Sequence, residues 1–213
     1  MFRVLVTDVD GVLTCINIWD FLHRCFGTKE RARVHELWYR SGVIDYVAWA
    51  KLDALLWRGR SWGEVLECVS KVPVRSGACE LIEFARSRGL RVIGVSAGLD
   101  VVYHALARAG AAPDILVANR LRVCGGVVTG DVLVLVTDRN KGVVMEEVLK
   151  MLGYSCSEAI VIGEGVIDVP MLERGGVSIA FNPEGPEVEE VADYVVRGDD
   201  LRGVLDVLKK VLS

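Results

Sequence analysis

Asp8 and Asp10 close the short apolar run Val4-Leu5-Val6-Thr7, and Gly11 follows at once. Further on, the apolar run Leu90–Val95 ends in Ser96-Ala97-Gly98. Lys141 opens a helical pattern, and Ala159–Ile162 runs into Gly163-Glu164-Gly165-Val166-Ile167-Asp168. Asp and Gly are also the ordinary residues of turns and helix caps, so no single stretch decides anything. Together they offer a carboxylate cluster, a hydroxyl with neighbouring backbone amides, and one ammonium. Clustered carboxylates raise one another's pKa unless a cation sits among them. An oxygen-only set, without His or Cys, points to Mg2+. A hydroxyl, amides and a lysine facing that ion would neutralise phosphoryl oxygens, and phosphoryl transfer needs little beyond such positioning. Asp8 is then placed to attack phosphorus and form an aspartyl-phosphate. Asp10 is placed to protonate the leaving alcohol and later to deprotonate water.

Such a set needs a parallel sheet to hold it. Val4–Thr7 is apolar throughout, as a strand buried on both faces must be, and ligands of parallel sheets gather beyond the carboxyl ends of the strands. From Ser76 onward strands and helices alternate. Helices are predicted over Cys79–Arg88, Val101–Ala109, Lys141–Leu152, Pro170–Glu173 and Val204–Val211. Strands are predicted over Leu90–Val95, Ile115–Ala118, Ala159–Ile162, Val177–Phe181 and Tyr194–Val196, and Arg120–Cys124 with Val127–Thr129 reads as a hairpin turned at Gly125-Gly126. The expected fold class is α/β, a Rossmann-like parallel sheet core.

Residues 15–72 differ in character. All five tryptophans, Trp19, Trp38, Trp49, Trp57 and Trp62, fall there, on amphipathic helices predicted over Ile18–Cys25, Lys29–Tyr39, Ile44–Trp57 and Trp62–Lys71. Tyr46, Trp49, Ala50 and Leu56 suit one apolar face of the third. An insert of about 60 residues is too long for a loop in a compact domain. The expected organisation is a core of residues 1–14 and 73–213, with a small helical domain of residues 15–72 inserted after the first strand.

Composition narrows the partners. With 52% hydrophobic and 25% charged residues the chain is globular, and a net charge of −4 without basic stripes gives no reason to expect nucleic acid. No run approaches the roughly 20 apolar residues of a membrane span, and the first strand begins close to Met1, so a cytoplasmic protein without membrane association is expected. The six cysteines show no C-x-x-C pair and read as buried reduced thiols, neither a zinc site nor a disulfide framework. His23, His35 and His104 are isolated on predicted helices and read as structural or surface residues. Gln is absent altogether, which is compatible with a thermophilic source.

With the motifs in this order, the chain resembles the haloacid dehalogenase-like (HAD) phosphatases, and within them the phosphoserine phosphatase-like branch. Asp8-Val9-Asp10-Gly11-Val12-Leu13-Thr14 is similar to the first motif, Val92–Gly98 to the second, Asn140-Lys141-Gly142 to the third and Gly163–Asp168 to the fourth. Ala118-Asn119-Arg120-Leu121 followed by Gly130-Asp131-Val132 resembles the phosphoserine branch as well. The resemblance covers the core, and residues 15–72 take the place of the family's helical cap. It implies Asp8 as nucleophile and metal ligand, and Asp10 as acid/base that also offers its backbone carbonyl to Mg2+. It further implies Ser96, Lys141 and the amides of Gly11 and Ala97 as phosphate ligands, Glu164 as metal ligand, and Asp168 in support of the metal water or Lys141.

The chain departs from the family at four places. Glu164 stands where Asp is usual and Ile167 where the phosphoserine branch has Asn. Asn17 stands where an acid would pair the substrate's ammonium. Near the place of a carboxylate-binding arginine lie Lys51 and Asp53, with Arg58 and Arg60 close by. A site built for a zwitterion loses strongly when a charge partner is missing, so the expected substrate is a small phosphorylated metabolite less polar than phosphoserine. The fourth-motif changes leave open a catalytically degenerate phosphate-binding protein; a phosphotransferase of the same family is a third reading. The apolar cap surface is a candidate homodimer contact.

Overall fold

Apolar runs without alternation need cover on both faces, and in the computed structural model, which describes residues 1–213, they have it. β1 (Val4–Thr7), β2 (Arg91–Leu99), β3 (Ile115–Cys124), β4 (Val127–Leu133), β5 (Ala159–Gly163), β6 (Val177–Phe181) and β7 (Tyr194–Val196) form one seven-stranded sheet in the order β4-β3-β2-β1-β5-β6-β7. Every neighbouring pair is parallel except the β3–β4 hairpin. The α/β class read from the sequence is therefore the observed one. β1 lies between β2 and β5, with Thr7 level with Gly94 on one side and Ile162 on the other. The turns that follow these three strands thus open on one edge of the sheet.

After β1 come α1 (Ile18–Cys25), α2 (Lys29–Arg40), α3 (Tyr46–Leu55) and α4 (Trp62–Val69) in unbroken succession. Then α5 (Ala78–Ser87), α6 (Tyr103–Arg108), α7 (Lys141–Met151), α8 (Val169–Leu172), α9 (Pro186–Glu190) and α10 (Arg202–Val211) alternate with the strands. Side chains start three of the inserted helices: Asn17, Asp45 and Ser61 accept the N–H groups of Asp20, Ala48 and Glu64. The chain leaves and re-enters the core along one seam, where Thr14 bridges Val74 and the Cys15 N–H donates to the Pro73 carbonyl at 3.1 Å. We propose that this seam bounds the cap, residues 15–72, from the core.

Alternation on β1 sends Val4 and Val6 to one face, against Met145 and Leu149 of α7, and Leu5 to the other. The cluster on Leu5 runs on through Val9, Val12 and Leu13 into Ile18, Leu22, Trp57 and Val65, so sheet and insertion share one apolar interior. Trp57 and Trp19 are buried in it, whereas Trp38 is exposed on α2. No helix is long and apolar enough to cross a membrane.

Three local expectations are corrected and one helix is added. β2 does not stop at Val95 but continues to Leu99, with its register to β3 shifted between the two, so Ser96-Ala97-Gly98 is a bulged strand end rather than a turn. Bulges of this kind re-aim side chains at strand ends. Ile115–Ala118 and Arg120–Cys124 are one strand, which changes partner from β2 to β4 at Asn119. α9 was not anticipated, being too short to show a helical period. The cysteines are not buried thiols: Cys25 and Cys68 form a disulfide that joins α1 to α4 with Cα atoms 6.2 Å apart, and Cys15 and Cys124 are exposed. The packing of α1 on α4 through Leu22, Val65 and Val69 brings these two sulfurs together.

Candidate active site

Asp8 sits one residue beyond β1, its N–H donating to the Ile162 carbonyl of β5 at 2.9 Å. Its Oδ1 accepts the Val9 N–H at 2.7 Å and lies 2.7 Å from Lys141 Nζ, while Oδ2 has no hydrogen-bond partner in the protein. Lys141, the first residue of α7, is wholly buried, and its Nζ also lies 2.5 Å from Asp168 Oδ1. Asp168 is fixed from its other oxygen, Oδ2, which accepts the N–H groups of Glu164 at 2.9 Å and Gly165 at 3.0 Å. The lysine is therefore the hinge of a buried carboxylate–ammonium–carboxylate row that ties the first motif to the fourth.

Asp10 Oδ2 accepts the Ile18 N–H at 2.9 Å, anchoring the first turn of α1 to the loop that follows β1. Asp10 Oδ1 is buried and unpartnered, a carboxylate oxygen aimed at no protein donor. Between these acids Gly11 takes a left-handed conformation, φ +80°, and the space where its Cβ would lie is filled by the Glu164 carboxylate. The Gly11 N–H makes no bond within the protein. Its carbonyl accepts from Arg75 Nη2 at 2.5 Å, and Arg75 Nε donates to the Val12 carbonyl at 3.0 Å. Ser96 is buried on the bulge, and its Oγ accepts the Gly98 N–H at 2.9 Å.

Charge follows from this burial. Desolvation, then the Asp168 charge, pushes Asp8 well above the usual carboxylate range, only partly offset by Lys141. Burial raises Asp10 to about 7, against the Ile18 N–H and Lys141. Burial, Glu184 and Asp168 raise Glu164 to about 7, with Arg75 and Lys141 opposing. Lys141 loses from burial but gains more from Asp168 and Asp8, and its ammonium is held above the ordinary lysine value. Four acids thus share one buried ammonium and a peripheral guanidinium, a deficit of positive charge.

That deficit, the orphaned Asp10 oxygen and the all-oxygen donor set fit a hard divalent cation. No three Asp, Glu, His or Cys side chains converge on a common point. An ion here would accordingly be held by one or two carboxylates, a backbone carbonyl and water, which is the habit of Mg2+. The fit makes a thermodynamic prediction. An acid whose folded pKa lies above its unfolded value binds more protons when folded, so stability falls as pH rises between the two values. For Asp10 and Glu164 that window runs from their ordinary values of 3.8 and 4.5 up to about 7. The metal-free protein is expected to melt lower at pH 8 than at pH 5, and Mg2+ to raise Tm more at pH 8. Thermal denaturation in EDTA and in Mg2+ checks this; a larger Mg2+ effect at pH 5 would count against the site.

The structure thus gathers Asp8, Asp10, Gly11, Ser96, Ala97, Lys141, Glu164 and Asp168 at one sheet edge. It does not bring Asn17 or Lys51 into that set. Asn17 is exposed and spends its side chain on capping α1, and Lys51 is exposed on α3 with no ion pair. Asp53 is buried instead between two histidines, its oxygens 3.1 Å from His23 Nε2 and 2.7 Å from His35 Nδ1. His23 Nδ1 meets Thr28 Oγ1 at 2.8 Å, and that oxygen accepts from the Trp57 indole at 3.2 Å. Arg75, Tyr46 and Asn119 were not singled out as site residues. Tyr46 donates to the Ala97 carbonyl and also lines a cavity of about 640 Å3 with Tyr39, Thr137 and Asp138. The tyrosine thereby stands between that cavity and the strand end bearing Ser96.

Known proteins resemble this chain along most of its length. The family model for haloacid dehalogenase-like hydrolases matches residues 5–173. A phosphoserine phosphatase of Methanocaldococcus jannaschii is 27% identical over 97% of this chain and 98% of its own length. One of Streptococcus thermophilus is 31% identical over 98% and 96%. Among solved structures, a phospho-aspartyl intermediate analogue of phosphoserine phosphatase superposes with a TM-score of 0.80 at 26% identity, covering 97% of this chain and 98% of that one.

Proposed function

The chain belongs to the haloacid dehalogenase-like hydrolases, enzymes here of the phosphoric monoester type, and from that premise we propose a Mg2+-dependent phosphomonoesterase that works through an aspartyl-phosphate on a small phosphorylated metabolite. The observation that carries the proposal is the division of labour between the two oxygens of each leading acid. Asp8 Oδ1 is held by Val9 and Lys141, which leaves Oδ2 as the attacking atom. Asp10 Oδ2 is held by Ile18, which leaves Oδ1 for the proton.

In the first step Asp8 Oδ2 forms a bond to phosphorus as the ester P–O bond breaks, and the departing alkoxide takes the proton of Asp10. A carboxyl raised to about 7 by burial holds that proton near neutral pH. In the second step water attacks phosphorus, Asp10 takes the water's proton, and phosphate leaves with Asp8 restored. Ser96, Lys141 and the free Gly11 N–H would hold the phosphoryl oxygens throughout. Mg2+, when bound near Asp8, the Asp10 carbonyl and Glu164, would supply further charge neutralisation at those oxygens. Since Asp8, Ser96 and Lys141 are all buried, substrate entry requires the cap to lift about the Thr14–Val74 seam.

The relatives' names make phosphoserine the natural first substrate to test, yet the cap side chains speak for a less polar ester. Asn17 is neutral and engaged, and Asp53 is already paired with two histidines, so neither offers a free charge to a zwitterion. The deciding experiment is a Mg2+-dependent panel of phosphate esters that includes phosphoserine and p-nitrophenyl phosphate. We expect hydrolysis that EDTA abolishes, with kcat/KM for phosphoserine at least tenfold below the best ester. Phosphoserine in first place would overturn the preference alone, whereas no hydrolysis of any ester would overturn the phosphatase itself.

A further inference from the structure

The Ala97 carbonyl oxygen receives three donors: the Tyr46 hydroxyl at 2.5 Å, the Asn119 amide at 2.8 Å and the Trp19 indole N–H at 3.1 Å. A carbonyl has two lone pairs, so this oxygen is held from more directions than it needs. The donors also have different owners. Tyr46 lies on α3 and Trp19 on α1, both in the cap, while Asn119 is a wholly buried residue of core strand β3.

Asn119 is itself committed on all sides. Its Nδ2 donates to the Val136 carbonyl at 2.9 Å as well as to Ala97, and its Oδ1 accepts the N–H groups of Leu135 at 2.8 Å and Val136 at 2.9 Å. It therefore clamps the bulged end of β2 to the segment that leads into Lys141. The clamp is part of the core and remains when the cap lifts; the two cap donors do not.

What the carbonyl controls lies one peptide away. The Ala97 carbonyl and the Gly98 N–H are opposite ends of one planar unit, so fixing the first aims the second. The Gly98 N–H donates to Ser96 Oγ at 2.9 Å. A hydroxyl that accepts on one lone pair has its O–H swung away from that donor, free to donate elsewhere. The position is also closely shaped: a Cβ on Gly98 would stand 2.7 Å from Asp10 Oδ2 and 3.0 Å from Ser96 Oγ, so only glycine lets this peptide pass between them.

We propose that the Ala97–Gly98 peptide couples the seating of the cap to the direction of the Ser96 hydroxyl, with Asn119 as the fixed core anchor and Tyr46 as the cap-side contact. Resting on the phosphatase reading, the coupling makes both of them positioning residues for the phosphate site. With the cap seated, three donors pin the peptide and Ser96 points its proton to phosphate. With the cap lifted, one donor remains, the peptide can tilt, and phosphate is held more weakly. Product release and cap opening then become one event.

Tyr46→Phe removes the hydroxyl and keeps the ring, which packs edge-on against Tyr39 and Trp49. Inhibition by inorganic phosphate reads the phosphate site without a leaving group, and the exchange rate of the Gly98 amide proton in ligand-free protein reads the peptide itself. We expect Tyr46→Phe to weaken phosphate inhibition about tenfold, roughly the worth of one hydrogen bond, and to speed Gly98 exchange by a similar factor. In a Ser96→Ala background the same change should add less than about twofold to the phosphate constant, because residues acting in series are not additive. Equal costs in both backgrounds, or an unmoved Gly98 amide, would overturn the coupling. A wild type that hydrolyses no ester would sink the phosphatase reading instead, and Gly98 exchange, measured without substrate, would still decide the coupling.

Discussion

Asp8→Asn is expected to cut hydrolysis by on the order of 10^4-fold or more, the scale on which an enzyme loses its nucleophile, while the protein stays folded. The amide matches the carboxylate in shape and can still accept the Val9 N–H that now bonds Oδ1. What it cannot do is form an acyl-phosphate, because a neutral amide oxygen is a poor nucleophile. Stability should hardly suffer. Asp8 is a costly charge as it stands, raised by burial and by Asp168, and Lys141 keeps Asp168 as its partner when Asp8 becomes neutral. A Tm within a few degrees of wild type, together with lost turnover of the best ester, is the anticipated pair of results. Turnover close to wild type would remove Asp8 from the nucleophile's role.

The acids and the serine proposed for this chemistry were legible in the sequence because they stand at or just beyond the ends of apolar runs. Val4–Thr7 must be an inner strand, so Asp8 must emerge at its carboxyl edge, and the same reasoning places Ser96, Glu164 and Asp168. Lys141 was legible as a helix start, although nothing in sequence foretold that it would be wholly buried between two carboxylates. Less was visible where a side chain works on the backbone. Arg75 bonds the carbonyls of Gly11 and Val12, and Asn119 bonds groups of Ala97, Leu135 and Val136. Backbone acceptors are the same at every position, so no residue pattern announces which one will be met. The Cys25–Cys68 pair was hidden for a related reason: helix packing, not spacing, brings the two together. Substrate contacts were hardest to read, since Asn17 and Asp53, at or near the places where the resemblance would put them, have their partners within the cap itself.

The buried row Asp8–Lys141–Asp168 leads to the second large effect. Lys141→Met keeps an apolar stem of similar length and removes the only ammonium between two buried carboxylates. Breaking a buried pair by deleting one partner costs about 3–5 kcal/mol, because the remaining charge is left without compensation. At about 2–4 °C per kcal/mol for a chain of this size, Tm should fall by roughly 6–20 °C at pH 8. The sign of the pH dependence follows from Asp8. Its folded pKa is already raised despite Lys141, and losing the lysine raises it further. The penalty is therefore complete at high pH and shrinks as pH falls through that pKa, where Asp8 takes up a proton and ceases to be an unpaired charge. At pH 5 the Tm deficit of the variant should be smaller than at pH 8. Mg2+ at pH 8 should recover part of the stability, since a cation near Asp8 offsets the same charge. It should not recover activity, because the phosphate loses its ammonium contact, and a loss of about 10^3-fold or more is expected to persist. Melting curves at pH 5 and pH 8, with and without Mg2+, test each step. An equal Tm at pH 8, or a deficit that does not narrow at pH 5, would show that Lys141 is not what balances these carboxylates.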